Sequence, residues 1–156
     1  MELRAATVED ADAIADIWHR GWHDGHAGNV PEAMYKYRQA EHFHTLANSR
    51  IAITTVAVID DRIAGFVTVH DDEVEQVYVD ASARGSGVAD AILSHGERTV
   101  AETYDVAWLA VVAGNARARR FYERSGWADT GSFEYSAETE DGPFTAPVRR
   151  YEKRLR

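Results

Sequence analysis

Val77-Tyr78-Val79-Asp80-Ala81-Ser82-Ala83-Arg84-Gly85-Ser86-Gly87-Val88-Ala89 begins as an apolar strand, passes through a short polar turn and enters a helix behind two glycines. Val88, Ala89, Ile92, Leu93 and Gly96 then recur at helical spacing, which gives that helix one apolar face. Such a turn leaves several N–H groups at the helix start without partners, all aimed the same way. With the positive end of the helix dipole they form a seat for an anion, typically a phosphate. Glycine lets an anion approach the backbone closely. Two other phosphate-binding patterns fit poorly. The Walker pattern needs a lysine after its last glycine, where Val88 stands. The dinucleotide fingerprint needs a third small residue at the position of Asp90. A strand–Gly-x-Gly–helix unit is also common as a plain tight turn, so the stretch needs a second signal.

The 156 residues suit one domain, 1–156, with a core of its own. Hydrophobic residues make up 45% and charged residues 28%, a globular balance. The net charge of −9 argues against a nucleic-acid surface, which needs a basic stripe. It also requires that a polyanionic ligand be held by local N–H groups and a few arginines, because the overall field repels it. Amines are better suited to such a surface, although solubility accounts for most of these charges. Without cysteine there is no disulfide, no zinc–thiolate site and no cysteine acyl intermediate. No apolar run approaches a membrane span, and Met1-Glu2-Leu3-Arg4 lacks the apolar segment of a signal peptide. The expectation is a cytoplasmic protein that engages neither membrane nor nucleic acid.

Residues 2–6 read as an edge strand. Thr7-Val8-Glu9-Asp10 matches a capping box. Ala11, Ile14, Ala15, Trp18 and Trp22 extend a helix to about residue 20, and Gly21, Gly25, Gly28 and Pro31 break the chain into a loop beyond it. Met34, Tyr37, Ala40, Phe43 and Leu46 predict a second helix over 31–47. Three strands come next, over 51–59, 63–70 and 74–79, with turns at Asp60-Asp61-Arg62 and Asp71-Asp72-Glu73. The helix behind the glycine loop ends near Tyr104. Val106 to Ala113 is an apolar, central strand. A helix opens at Gly114-Asn115 and stops at Gly126, and 127–135 and 148–155 form the last strands, joined by a polar segment. The order indicates a mixed α/β sheet.

The second signal is Asn115-Ala116-Arg117-Ala118-Arg119-Arg120-Phe121-Tyr122-Glu123-Arg124-Ser125-Gly126-Trp127. Asn115 is a good helix N-cap, and Phe121 with Tyr122 a good core contact. Asn115 and Tyr122 also stand two turns apart on one side of the helix, roughly 10 Å, so both polar tips address one groove.

These two stretches resemble the GNAT superfamily of N-acetyltransferases. Arg84-x-x-Gly87-x-Ala89 is similar to its acyl-CoA loop, Q/R-x-x-G-x-G/A, and Asn115-x-x-Ala118-x-x-Phe121-Tyr122-x-x-x-Gly126-Trp127 to its second motif. The order of elements over 2–155 agrees. The family often has proline near Ala81 and phenylalanine at Trp127, and neither departure removes a group the reaction needs. The resemblance implies a mostly antiparallel sheet of about seven strands, splayed between strands 4 and 5 and flanked by about four helices. Acetyl-CoA would be the cosubstrate, with no metal. Its pantetheine arm would lie in the gap beside Val77, Tyr78 and Val79, pairing with main-chain groups of Val77 and Val79. Its pyrophosphate would sit on the N–H groups of Arg84, Gly85, Ser86, Gly87, Val88 and Ala89. Asn115 would hydrogen-bond the arm near its reactive end, and Ala118 would also belong to the cofactor-binding set. Arg117, Arg119 or Arg120 would reach the outer phosphates, unless they are simply solvated.

The implied reaction is direct acetyl transfer to a small-molecule or protein amine in a ternary complex. The ammonium must lose a proton, the oxyanion needs a donor from strand 4, and the departing thiolate is helped by a proton. The resemblance assigns that proton to Tyr122; a core tyrosine is the plainer reading. Glu75, on the face of Val77 and Val79 if the strand is regular, is the candidate base through a water, against a reading as a solvated edge residue. The first-helix region commonly borders the acceptor site in the family, which makes Trp18, Trp22, His23 and His26 candidates there. His19, His23 and His26 as a metal site is weaker, because Gly21 and Gly25 interrupt the helix. A non-catalytic acyl-CoA sensor on the same fold, or an enzyme with another acyl group or nucleophile, are the alternatives. Dimers are common in the family.

Overall fold

In this computed structural model, residues 1–26, 35, 37–137 and 144–156 are described, apart from the side chains of 136, 137 and 144–147. The strands are β1 Glu2–Ala5, β2 Thr54–Ile59, β3 Arg62–His70, β4 Glu73–Val79, β5 Val106–Val111, β6 Ala128–Ala137 and β7 Phe144–Arg154. The described helices are α1 Ala11–His26, α2 Ala40–Ser49, α3 Val88–Ala101 and α4 Ala116–Arg124. One sheet runs β1-β2-β3-β4-β5-β7-β6, antiparallel throughout except where β4 meets β5. This is the mixed, mostly antiparallel seven-stranded sheet with four helices expected from the sequence.

The capping box forms as expected. Asp10 Oδ2 accepts from the Thr7 N–H at 2.8 Å, which is the acidic arm of the box, and the Asp10 N–H closes the first turn on the Thr7 carbonyl at 2.9 Å. Arg4 pairs with the same carboxylate at 2.8 Å, tying β1 to the helix start. The guanidinium holds the Asp10 carboxyl below its ordinary range. A 3₁₀ turn at Val8–Asp10 leads into α1.

Helix α1 does not stop near residue 20. It runs to His26 with Gly21 and Gly25 inside it. The reason is close approach. A Cβ at Gly21 would lie 2.4 Å from the Tyr78 ring, and one at Gly25 would lie 2.7 Å from Asn115 Nδ2. The glycines let α1 press against β4 and the start of α4. Residues 31–34 and 36 of the predicted second helix, with Gly28 and Pro31, lie outside the described residues. The described helix there begins at Ala40.

Ile51–Ile53 is a 3₁₀ turn rather than the start of a strand, and none of its residues is buried, so no sheet face holds it. Helix α3 ends at Ala101 and β5 at Val111, both earlier than predicted. The polar segment before Val148 is shorter than expected, because β6 and β7 remain paired out to Ala137 and Phe144. Hairpin turns occur where predicted, with Asp60 and Asp61 both left-handed, as a two-residue turn between twisted strands requires.

Two cores cover the two faces of the sheet. Ile14, Trp18, Trp22, Phe43, Val56 and Phe66 lie on the α1 and α2 side. Val67, Val74, Ile92, Leu93, Leu109, Tyr122, Trp127 and Tyr151 lie on the other. Each such apolar side chain contributes about 1.5–3 kcal/mol by leaving water.

The Tyr78 ring is wedged beside Trp18 and Phe66, with centroids 6.4 and 5.8 Å away. Gly21→Ala therefore trades a helix-propensity gain of about 1 kcal/mol for a clash that costs about 1–3 kcal/mol. Urea unfolding should find the variant less stable by about 1 kcal/mol, where helix propensity alone predicts a gain.

Candidate active site

β4 and β5 touch at one end only. Glu73 pairs with Trp108, and the Trp108 N–H donates to the Asp72 carbonyl at 3.1 Å. The indole N–H reinforces this with a 3.0 Å bond to Asp72 Oδ1. Beyond this staple the strands part. The Asp80 N–H donates to the Ala64 carbonyl on β3 at 2.8 Å. An antiparallel ladder alternates, so Tyr78 also turns its peptide groups toward β3, while Val77 and Val79 turn theirs into the gap.

A cleft of about 420 Å³ occupies the gap. Trp18, Trp22 and His26 of α1 form one wall, with Glu75 to Tyr78 of β4, Leu109 to Val111 of β5, and Asn115, Ala118 and Tyr122 around α4. The structure thus brings together the sequence-predicted Glu75, Val77, Tyr78, Asn115, Ala118, Tyr122, Trp18, Trp22 and His26. Val79, the 84–89 loop and His23 lie outside this lining.

Asn115 caps α4: its Oδ1 accepts from the Ala118 N–H at 3.2 Å, while its Nδ2 faces Gly25. Tyr122 packs between Trp127 and Tyr151, with centroids 6.2 and 6.3 Å away. Among the described residues its hydroxyl has no hydrogen-bond partner, and no side-chain polar atom is sealed without one, so the hydroxyl opens on the cleft. Burial pushes the phenol well above its ordinary pKa and keeps it protonated. Tyr78 is raised in the same way, by burial first and by the charge Tyr122 would carry second.

Glu75 is not on the face of Val77 and Val79. Thr68 pairs with Gln76 and Val69 with Val74, which leaves Glu75 as the extra residue of a bulge. Val74 takes the place in the apolar cluster, and Glu75 turns to an ion pair with Arg50. It is also no solvated edge residue, since its side chain is 10% exposed. The sequence reading missed Glu73, which begins β4 rather than closing a turn. Its Oε2 accepts from the Tyr135 hydroxyl at 2.7 Å, and burial raises its carboxyl pKa. His70, Glu73 and Glu75 bring ligand atoms within 4.8 Å of one another, but both carboxylates already hold protein partners. Arg38, Arg50 and Tyr135 were missed too, because none lies in a motif.

The glycine loop forms as predicted, with Gly85 and Gly87 at φ +79° and +87° and open space where a Cβ would stand. The N–H groups of Arg84 and Ser86 are occupied, donating within the turn to Ala81 and Ala83. Those of Gly87, Val88, Ala89 and Asp90 make no backbone bond among the described residues. Arg84 pairs with Asp24 at 3.0 Å. Arg119 is committed elsewhere, donating to the Tyr151 hydroxyl, the Ala113 carbonyl and Asp129, so it is not a solvated or phosphate-directed arginine. Arg117 and Arg120 are exposed.

The three histidines separate. His19 and His23 meet through their Nε2 atoms at 3.1 Å, and His23 is exposed, off the cleft. His26, a turn on, stacks on Trp22 at 5.2 Å and contacts the Trp22 carbonyl through Nδ1 at 3.1 Å. That contact requires Nδ1 to carry the proton and leaves Nε2 as the lone pair. Burial lowers the His26 pKa to about 4.

The sequence profile of the acetyltransferase (GNAT) family matches residues 11–127. The chain belongs to this family. No curated protein sequence matches it. Among solved structures, an N-acetyltransferase from Staphylococcus aureus Mu50 is 21% identical with a TM-score of 0.73, over 99% of this chain and 98% of that one. The PaiA N-acetyltransferase from Thermoplasma acidophilum, solved with coenzyme A, is 16% identical with a TM-score of 0.69, over 98% of each chain. YncA, a putative acetyltransferase from Salmonella typhimurium solved with acetyl-CoA, is 17% identical with a TM-score of 0.71, over 100% of this chain and 94% of that one. At these identities the likeness is one of fold, and the family match supplies acetyl transfer. Among the described residues no helix of this acetyltransferase is long and apolar enough to cross a membrane.

Because native His26 refuses a proton down to about pH 4, while the unfolded chain takes one near 6.5, the unfolded state binds more protons between those values. Stability should therefore fall as pH drops through this window, by at most about 1.4 kcal/mol per unit from this group. His26→Phe keeps an aromatic stack on Trp22 and should flatten that slope in urea titrations at pH values of about 7.5 and 5.5.

Proposed function

We propose that this protein is an acetyl-CoA-dependent N-acetyltransferase that acetylates a primary amine by direct attack in a ternary complex. The observation that carries this reading is the free Tyr122 hydroxyl, opening with Asn115 on the gap where β4 and β5 part. In this reading acetyl-CoA lays its pantetheine arm along β4, bonded to the peptide groups of Val77 and Val79. The pyrophosphate rests on the amides of Gly87 to Ala89, and Asn115 borders the arm near its thioester.

The acceptor ammonium first gives up a proton, because the charged form has no lone pair. Glu75 receives it through a water, with Arg50 fixing the carboxylate's orientation. The amine nitrogen then bonds to the thioester carbonyl carbon, and the electron pair moves to the oxygen, where a β4 N–H steadies it. When the carbonyl reforms, the carbon–sulfur bond breaks and sulfur leaves with its electron pair. Tyr122 gives that thiolate its proton and regains one from the nitrogen, which is shedding its surplus proton as the amide forms. The products are the N-acetylated acceptor and coenzyme A as free thiol. Burial keeps this phenol protonated until sulfur departs, and because a high-pKa phenol is a weak acid its donation is coupled to proton return from the nitrogen, so no free phenolate forms.

Tyr122→Phe should lower kcat about a hundredfold with little change in acetyl-CoA affinity. Thiol release and calorimetry check the two halves, and an unchanged kcat would remove Tyr122 from the reaction. Glu75→Gln should lower kcat/KM for the amine by a similar factor of about a hundred while acetyl-CoA still binds. Tight acetyl-CoA binding without turnover of any amine would instead indicate a sensor.

A further inference from the structure

Arg38 is 7% exposed, lies just before α2 and lines the cleft with Trp18, Trp22 and His26. Among the described residues its hydrogen-bond partner is the Tyr37 carbonyl, reached by Nη1 at 2.8 Å, and no carboxylate pairs with it. A guanidinium has five N–H donors in a planar fork. Burying that cation with one neutral partner is expensive, and proteins normally pair such a charge. Burial and then repulsion from Arg50 work against the Arg38 charge, with Tyr78 as a partial offset. Arg50 differs, because Glu75 answers its charge.

The cleft therefore contains an unanswered cation, and its missing partner must be an anion that enters with a ligand. This step rests on the acetyl-transfer reading above. The pantetheine arm and the acetyl thioester carry no charge, and the phosphates of coenzyme A belong at the 84–89 loop, outside the cleft lining. The anion must then belong to the acceptor. A carboxylate is the group that fits a planar fork in two parallel bonds. The Tyr78 hydroxyl, which has no hydrogen-bond partner among the described residues, belongs to a residue of the same cleft lining. Trp18, Trp22 and His26 supply an aromatic wall beside the fork. A cleft of about 420 Å³ that must also admit a pantetheine arm leaves room for a compact acceptor.

We infer that the acceptor is an amine that also carries a carboxylate, in chemical class a free amino acid, and that Arg38 holds its carboxylate and turns its amine toward the thioester. The test measures thiol release from acetyl-CoA with the twenty free amino acids and their α-carboxamides. At least one acid should exceed its carboxamide in kcat/KM by roughly tenfold to a hundredfold. Arg38→Gln should collapse that ratio toward one, mainly through KM for the acid, while calorimetry still finds acetyl-CoA bound. Arg38→Met removes the unanswered charge and should raise the melting temperature of the ligand-free protein, by about 2–4 °C.

Equal rates for acid and carboxamide, or a ratio that survives Arg38→Gln, would overturn the inference. So would a fall in melting temperature for Arg38→Met, which would mark Arg38 as a structural contact. If simple alkyl amines or peptide N-termini release thiol while no free amino acid does, the inference fails and acetyl transfer stands. If no amine of any kind releases thiol, both fail together.

Discussion

The structure turns on the staple between β4 and β5. Two bonds to Asp72, one from the Trp108 backbone and one from its indole, bring the strands together at one end. Past that point the peptide groups of Val77 and Val79 have no strand to pair with. Buried peptide groups left unmade cost about 1–3 kcal/mol each, so a sheet parts only where water or a ligand supplies the missing partner. The parting is therefore a site by construction. The chain prolongs it by inserting α3 between the two strands in sequence, so that β4 and β5 run parallel and need no tight turn between them.

The walls of the gap are held by close contact rather than by many polar bonds. Gly21 and Gly25 let α1 sit against the Tyr78 ring and the Asn115 amide. Arg20 with Asp80 and Arg84 with Asp24 tie the same helix to the segment after β4. These ion pairs are largely exposed and stabilise little. Their value is in register, since they fix the glycine loop relative to the helix that walls the cleft. On the other side Trp127 and Tyr151 fix the Tyr122 ring, and Trp127 is itself anchored by its indole bond to Glu97 at 3.0 Å.

How much the sequence discloses depends on the range of the interactions involved. The glycine loop, the capping box and the Asn115–Tyr122 spacing are local, so one short stretch of chain carries each of them whole, and they appear in the structure where they are expected. Gly21 and Gly25 mislead because helix propensity is local, while the Tyr78 ring that justifies Gly21 stands on a distant strand. Glu75 falls on the wrong face because period-two alternation assumes a regular strand, and the bulge is visible only in the pairing with Thr68 and Val69. Arg38 has no motif at all. Its significance lies in the missing counter-charge, a property of the folded neighbourhood that no single stretch of chain records.

Charge is the last constraint to reconcile. With a net charge of −9, the molecule's long-range field opposes a polyanionic cosubstrate, and several of the arginines near the glycine loop and the end of the sheet are already paired. Arg84 answers Asp24, Arg119 answers Asp129 and Tyr151, and Arg149 answers Asp129 again. In the reading proposed above, the phosphates would meet the amides at Gly87 to Asp90, whose partial charges act within a few ångströms, with Arg117 and Arg120 exposed on α4. The same economy operates inside the cleft with the sign of the selection changed. There the walls include Glu73 and Glu75, Arg50 is paired with Glu75, and Arg38 is the lining arginine without a carboxylate partner among the described residues. A buried cation in an acidic protein would thus do more than attract under the inference drawn above: it would restrict an anionic group to one position and so orient the rest of the molecule that carries it.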